Sequence, residues 1–279
     1  MNKLTTENQE QFRIWLVNEE RSAGTIEKYM RDVRTFAGFL NGRTIVKEEL
    51  TAWKGQLVEA GYAPVTINSM LTSVNTYLRF VGMPECRVKQ LRLQRRVFRD
   101  QTRELSREEY DRLLSAARRQ GKERLELLME TICATGIRVS EVQNITIETL
   151  RQGRAEISLK GKIRTILLPG KLRRKLQKYA QKQKIASGEI FLTRNGKPLT
   201  RKQIWAEMKA LCQSAGVETS KVFPHNLRHL FARIFYKTSR DIAQLADVLG
   251  HSSIETTRIY LITTGAEHLR RMDLLGLVS

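Results

Sequence analysis

Residues 223–261 read FPHNLRHLFARIFYKTSRDIAQLADVLGHSSIETTRIYL, and the fold and chemistry of the chain turn on this stretch. Pro224 stands where the first turn of a helix tolerates proline, and Leu227, Leu230, Phe231, Ile234 and Phe235 then recur at helical spacing on one apolar stripe. His225 and Arg228, three residues apart, share a flank of that helix, with His229 further round. A second helix is expected through Ile242, Leu245, Ala246 and Leu249, and Gly250 occupies the position of a left-handed C-terminal cap. His251 follows. Ser252 and Glu255 have the spacing of a capping box that opens a third helix, carrying Tyr260 toward its far end. Three of the chain's four histidines lie in this stretch, and two of them, His225 and His251, converge with one arginine and one tyrosine as a set suited to gripping a single phosphate group.

The 279 residues include 49 basic and 29 acidic side chains, a formal net charge of +20 with a pI near 10.2. Such an excess points to a polyanionic partner, and nucleic acid is the expected one. Most of the excess lies beyond residue 101, alongside the chemistry. Cys86, Cys133 and Cys212 are scattered and form no CxxC pair, so neither a disulfide framework nor a zinc site is expected. The N-terminus lacks an apolar leader and no long apolar run occurs, which predicts a cytoplasmic protein with no membrane partner.

Upstream, the periodicity predicts four helices between Thr5 and Phe80. The first holds Phe12, Trp15 and Leu16, the second Ile26, Tyr29, Val33, Phe36 and Leu40, the third Leu50, Trp53 and Leu57, and the fourth opens at Pro64 with Ile67, Leu71, Val74 and Leu78. They predict an N-terminal helical domain over residues 1–83. The run CRVKQLRLQRRVFRDQTR then breaks the apolar period, and residues 84–103 read as a basic interdomain linker suited to crossing a phosphate backbone. Order resumes over 104–279. Ser106 and Glu109 make a capping box, Leu105 and Tyr110 a hydrophobic staple, and helices follow to Ala117 and from Leu125 to Cys133. Thr135 to Glu141 forms a turn feeding another helix, with Arg138 and Glu141 three apart. The strand signal is central: Ala155, Ile157 and Leu159 alternate with polar residues, Lys160-Gly161-Lys162 turns, and Ile163 to Leu168 returns. A further short strand is expected from Ile190 to Thr193, turning at Asn195-Gly196. The fold class is thus mainly α with a small antiparallel β-sheet, a helical N-terminal domain preceding an α+β domain.

Several chemistries are disfavoured. Each Gly-Lys pair, at 121, 161, 170 and 196, lacks the flanking residues of a phosphate loop, and there is no HExxH. His225 and His229 have metal-ligand spacing, but no third ligand is evident and Arg228 between them would repel a cation. No metal and no other cofactor is expected.

Five blocks in order, ATGIRVSE at 134–141, Lys160 at the hairpin, HNLRH at 225–229, LGH at 249–251 and Tyr260, resemble the pattern of the tyrosine recombinases of the phage integrase family. The likeness spans nearly the whole chain, and Thr25, Tyr29 and Phe36 are similar to the family's core-binding domain. It implies a four-helix core-binding domain followed by a catalytic domain, and a reaction in which Tyr260 attacks a backbone phosphorus of double-stranded DNA. A 3′-phosphotyrosyl bond forms and a 5′-hydroxyl leaves. Tyrosine phenols ordinarily titrate near pH ~10, so a base is needed, and the family assigns it to His225. Arg138 and Arg228 would hold the non-bridging oxygens and His251 would donate a further hydrogen bond. Lys160, with Lys162 as rival, would protonate the leaving oxygen. Glu141 would orient a basic neighbour, and His229 either supports the site or is a solvated helix histidine.

The covalent bond conserves the energy of the broken ester, so the resemblance implies neither ATP nor metal. It also implies a prokaryotic, nucleoid-associated enzyme acting as a tetramer on DNA. Assembly would use the tail from Ile262 to Ser279 through Leu269, Met272 and Leu275, and accessory DNA-bending or directionality proteins are compatible partners. Two other readings stay open: a relaxing enzyme of the type IB topoisomerase kind, and a DNA-binding module without chemistry. Arg233 departs from the small residue common at its position, Ser239-Arg240 stands where glycine is common, and no arm-type DNA-binding module is expected ahead of Thr5.

Overall fold

The computed structural model describes residues 3–93, 101–159, 162–260, 270 and 272–275. They fall in two compact units, Met1–Arg95 and Arg96–Ser279.

The first unit contains α1 (Thr6–Asn18), α2 (Ala23–Leu40), α3 (Lys47–Glu59) and α4 (Pro64–Phe80). The four apolar stripes read from the sequence meet in one core, with Phe12, Leu16, Val33, Phe36, Leu71 and Tyr77 fully buried and Trp53 packed 4.9 Å from Phe36. Polar groups enter that core too, and the charged one is paired. Asp32 of α2 accepts from Lys28 Nζ at 2.7 Å and from Ser73 Oγ of α4 at 2.8 Å, the partners a buried carboxylate requires. The basic stretch does not leave this unit at Pro84. Cys86 and Val88 are buried against its core, and two asparagines of α4 each pair with a backbone segment in both directions. Asn75 takes Val88 N at 3.2 Å and gives to Val88 O at 2.9 Å; Asn68 takes Leu91 N at 2.7 Å and gives to Leu91 O at 2.9 Å. An extended backbone without a ladder needs such partners, and the asparagines, two helical turns apart, match its repeat. The rest of the expected linker, 94–100, lies outside the described residues.

The second unit begins with α5 (Arg107–Arg119), whose capping box of Ser106 and Glu109 forms with 3.1 and 2.8 Å bonds. α6 (Glu123–Thr135) ends at Gly136 with φ 63°, and a 3₁₀ helix (Val139–Asn144) leads to α7 (Ile147–Gln152). β1 (Arg154–Leu159) and β2 (Lys162–Leu167) pair antiparallel, Ala155 opposite Ile166 and Leu159 opposite Lys162, so Lys162 opens the return strand. Then come α8 (Gly170–Lys182), α9 (Arg201–Lys209), α10 (Cys212–Ala215), α11 (Pro224–Ser239), α12 (Ile242–Leu249) and α13 (Ile254–Arg258). Leu227 and Leu230 of α11 join Leu128, Ile132 and Ile137 in the core, which brings the 223–261 stretch against the turn after α6.

Two local expectations change. No strand forms at 190–193: Ile190 N bonds instead to Ile145 O at 3.2 Å, and only isolated bridges, Thr146 with Glu189 and Leu192 with Pro198, occur there. The third helix of the key stretch is capped by Ser253, whose Oγ accepts from Glu255 N at 3.2 Å, so Ser252 and Glu255 form no box. That helix is consequently short, and Tyr260 sits in the turn beyond it. Among the described residues no helix is long and apolar enough to cross a membrane.

Candidate active site

Arg228 is the centre of the constellation. Its place on the buried face of α11 follows from the helical repeat, one residue from Leu227 and two from Leu230, and it is only 2 % exposed. A guanidinium without water needs acceptors for its donors. Nη1 donates to Gly136 O, while Nη2 lies 2.8 Å from Leu249 O and 2.9 Å from His251 Nε2. Arg228 thus ties the turn after α6 to the end of α12. Burial lowers its pKa, and the adjacent Tyr260 hydroxyl opposes that effect. Gly136 makes the approach feasible, because at φ 63° it accepts the left-handed conformation and a Cβ there would lie 2.5 Å from the Phe231 ring.

Arg138 enters from the same turn. Its Nη1 and backbone N both meet the Glu141 carboxylate at 2.9 Å, and that carboxylate is buried. The second cation on this carboxylate is Arg164 of β2, with Nη1 3.1 Å from Glu141 Oε2. Burial lowers the Arg164 pKa to about 10, with Glu141 pulling the other way.

Tyr260 is 3 % exposed and packs on Ala232, Leu245 and Leu249. Three imidazoles surround its ring. His229 lies 4.3 Å away between centroids, His251 5.7 Å and nearly parallel at 12°, and His225 6.1 Å. His229, one residue beyond Arg228, therefore sits at the tyrosine, and the His225 ring meets it edge-on at 4.5 Å. His225 has a solvent-facing edge; the surrounding protein lowers its pKa, and Arg228, Arg201 and Arg138 add to the effect. Burial, then Arg228, Arg138, Arg164 and His225, bring His251 down to about 4. His251 is hence neutral at physiological pH. Because Arg228 can only donate, His251 Nε2 is the acceptor, and Nδ1–H donates to Thr257 Oγ1 at 2.8 Å.

These contacts define a closed arrangement. The Arg228 donors are occupied by two carbonyls and an imidazole, and the tyrosine is covered. Lys160 lies outside the described residues, and Lys162 is placed by its backbone only. Among the described residues no group of three or more His, Cys, Asp or Glu is arranged to hold a metal ion.

Sequence reasoning does not single out Arg164 or Thr257. Arg164 carries a signal all the same: it shares an inward face with Ile166 of β2 and Leu168 just beyond it, where a charged residue is out of place unless paired. Thr257 carries none, since its partner is six residues away through an irregular turn.

Comparison with known proteins gives the family. The phage integrase family profile matches residues 103–266, and the phage integrase N-terminal SAM-like domain matches residues 10–82. Tyrosine recombinase XerA of Pyrococcus furiosus is 29% identical over 274 residues, covering 96% of this chain and 93% of the relative. Tyrosine recombinase XerC of Roseiflexus castenholzii is 30% identical over 262 residues, covering 86% and 83%. The fold matches a lambda integrase tetramer bound to a Holliday junction, with a TM-score of 0.73 at 18% identity over 93% of this chain and 78% of that one. With the profile spanning more than half of its length, the chain belongs to the phage integrase family, as a tyrosine recombinase.

Proposed function

We propose that this recombinase cuts and rejoins double-stranded DNA through Tyr260, with Arg138, Arg228 and His251 gripping the scissile phosphate. The observation that carries this reading is the convergence of Arg228, 2.9 Å from His251, on a tyrosine ringed by three imidazoles. On DNA binding, Arg228 exchanges the carbonyls of Gly136 and Leu249 for two non-bridging oxygens, a bidentate match to its fork. His251, released from Arg228, turns its neutral ring so that an N–H faces the phosphate. His225 takes the phenolic proton as the tyrosine oxygen attacks phosphorus. The bond to the 5′-oxygen breaks, and Lys160 or Lys162 returns a proton to that oxygen. Glu141 keeps Arg138 in place, and His229 packs behind the nucleophile. Rejoining runs the same steps backward with a 5′-hydroxyl as nucleophile, so neither ATP nor metal is consumed.

Four protomers on two duplexes complete an exchange in this reading, in a cytoplasmic, nucleoid-associated complex open to accessory DNA-bending proteins. The tail from Ile262 onward would bridge protomers. Leu269 lies outside the described residues, but Met272, Leu274 and Leu275 are 64%, 86% and 64% exposed, which supports an apolar face awaiting cover. Removing residues 265–279 should abolish assembly on DNA while leaving single-site binding; unchanged assembly would sink the bridging role.

The decisive test uses a pool of nicked duplexes of randomised sequence. The unaltered protein should become trapped in a detergent-resistant adduct, selecting its own site. Tyr260→Phe should bind the selected duplex and give no adduct. An adduct of undiminished yield in that variant would remove Tyr260 from the chemistry.

A further inference from the structure

Arg164 occupies a position that its surroundings make unfavourable. It faces inward from β2 opposite Ile157, its side chain is 9% exposed, and its Nε is buried without a hydrogen-bond partner. A buried guanidinium with an idle donor costs stability, which its remaining bonds have to offset. Those bonds are specific. Nη1 meets Glu141 Oε2 at 3.1 Å, on the carboxylate that fixes Arg138, and Nη2 meets Val248 O at 2.9 Å, in the last turn of α12. Three residues after Val248 comes His251. Between them Gly250, at φ 63°, lies so close to the Arg164 stem that any Cβ would collide with it. One planar group therefore fixes the distance between the Arg138 turn and the segment carrying His251, and does so from the hairpin that leads to Lys160.

We propose that Arg164 is a positioning residue for strand cleavage, a brace that sets Arg138 through Glu141 and sets His251 through the carbonyl end of α12. The proposal rests on the cleavage reading above. It assigns Arg164 no contact with the phosphate, because each of its terminal nitrogens already meets a protein acceptor and the side chain is covered. What it supplies is register: the Arg138 and His251 sides of the phosphate grip are held by the two nitrogens of one rigid plane, which a flexible ammonium cannot duplicate. Preorganised donors lose most of their effect when displaced by a fraction of an ångström.

The test uses the duplex selected by the unaltered protein. Arg164→Met should bind it within about threefold of the parent and slow single-turnover adduct formation about 100-fold. Glu141→Gln should also slow it, and the double variant should lose less than the product of the two single losses, since both act on Arg138 while Arg164 alone reaches the end of α12. If Arg164→Met does not fold, Arg164→Lys decides. It keeps charge and stem but reaches one partner at a time, and should cleave at least about tenfold slower at an unchanged melting temperature. Arg164→Lys cleaving at the parental rate would overturn the proposal, as would Arg164→Met within about threefold of it, or losses that multiply in the double variant. No adduct with the unaltered protein on the randomised pool would overturn the cleavage reading, and the proposal with it.

Discussion

His251 shows how a few charges decide the behaviour of one side chain. It is held neutral by burial and by the cations Arg228, Arg138 and Arg164, so its folded pKa of about 4 lies below the ordinary 6.5. The folded state therefore binds fewer protons than the unfolded chain between those values. The stabilisation is complete above the unfolded pKa and is lost as pH falls through about 4. We expect the urea midpoint to fall as the pH is lowered from 6.5 toward 4, and to fall less in His251→Gln, whose amide cannot charge. Equal slopes in both proteins would assign the pH dependence to other groups. Such a site is legible in the sequence where a residue's neighbours repeat: spacing alone puts Arg228 and His225 on one flank of a helix. The same reasoning puts His229 further round, whereas its ring lies against Tyr260, because the tyrosine arrives through an irregular turn that no periodicity describes. Arg164 is hidden for a related reason. Its partners are 23 and 84 residues away, so only the folded chain shows what neutralises it.

The elements read from the sequence are those with a strong period or a strong cap. The four N-terminal helices, the Ser106 capping box and the β1–β2 pair all carry local signals, and local energetics suffice to specify them. Where the signal is compositional, tertiary partners prevail. Basic residues make 84–103 look like linker, yet Asn68 and Asn75 bind the backbone at Leu91 and Val88, and side-chain amides on another helix are invisible to a charge count. The end of α11 carries a testable departure. Arg240 is its C-cap at φ 56°, in the left-handed region where a Cβ is strained, and its N–H bonds to Tyr236 O at 2.8 Å. Glycine adopts this geometry freely. Arg240→Gly should keep the bond and raise stability by roughly 0.5–1 kcal/mol, the relief of left-handed strain less glycine's extra unfolded-state entropy, read as a higher urea midpoint at an unchanged denaturant slope. Arg233, earlier on the same helix, behaves differently although it too departs from the family pattern. It reaches Leu105 O and pairs with Glu104 at 3.0 Å, so the larger residue is integral to how α11 meets the start of the second unit.

At the scale of the whole molecule, charge dominates. A net +20 spread over two units gives each of them a reason to approach phosphate, and affinity then depends on how many condensed counterions the protein displaces. The logarithm of the binding constant should fall linearly with the logarithm of salt, with a slope of about −0.9 per phosphate neutralised. If roughly six to ten phosphates are contacted, affinity for a random duplex of about 40 bp should drop about 10³- to 10⁵-fold between roughly 50 and 200 mM salt. Tyr260→Phe removes no charge and should leave that slope unchanged, whereas Arg138→Ala removes a half-exposed cation at the proposed phosphate grip and should make it shallower by about one contact. Titrations of the three proteins across this salt range would settle the matter. A slope near zero would mean that the basic surface is not what holds DNA, and an equal slope for Arg138→Ala would mean that Arg138 meets no phosphate in the bound ground state.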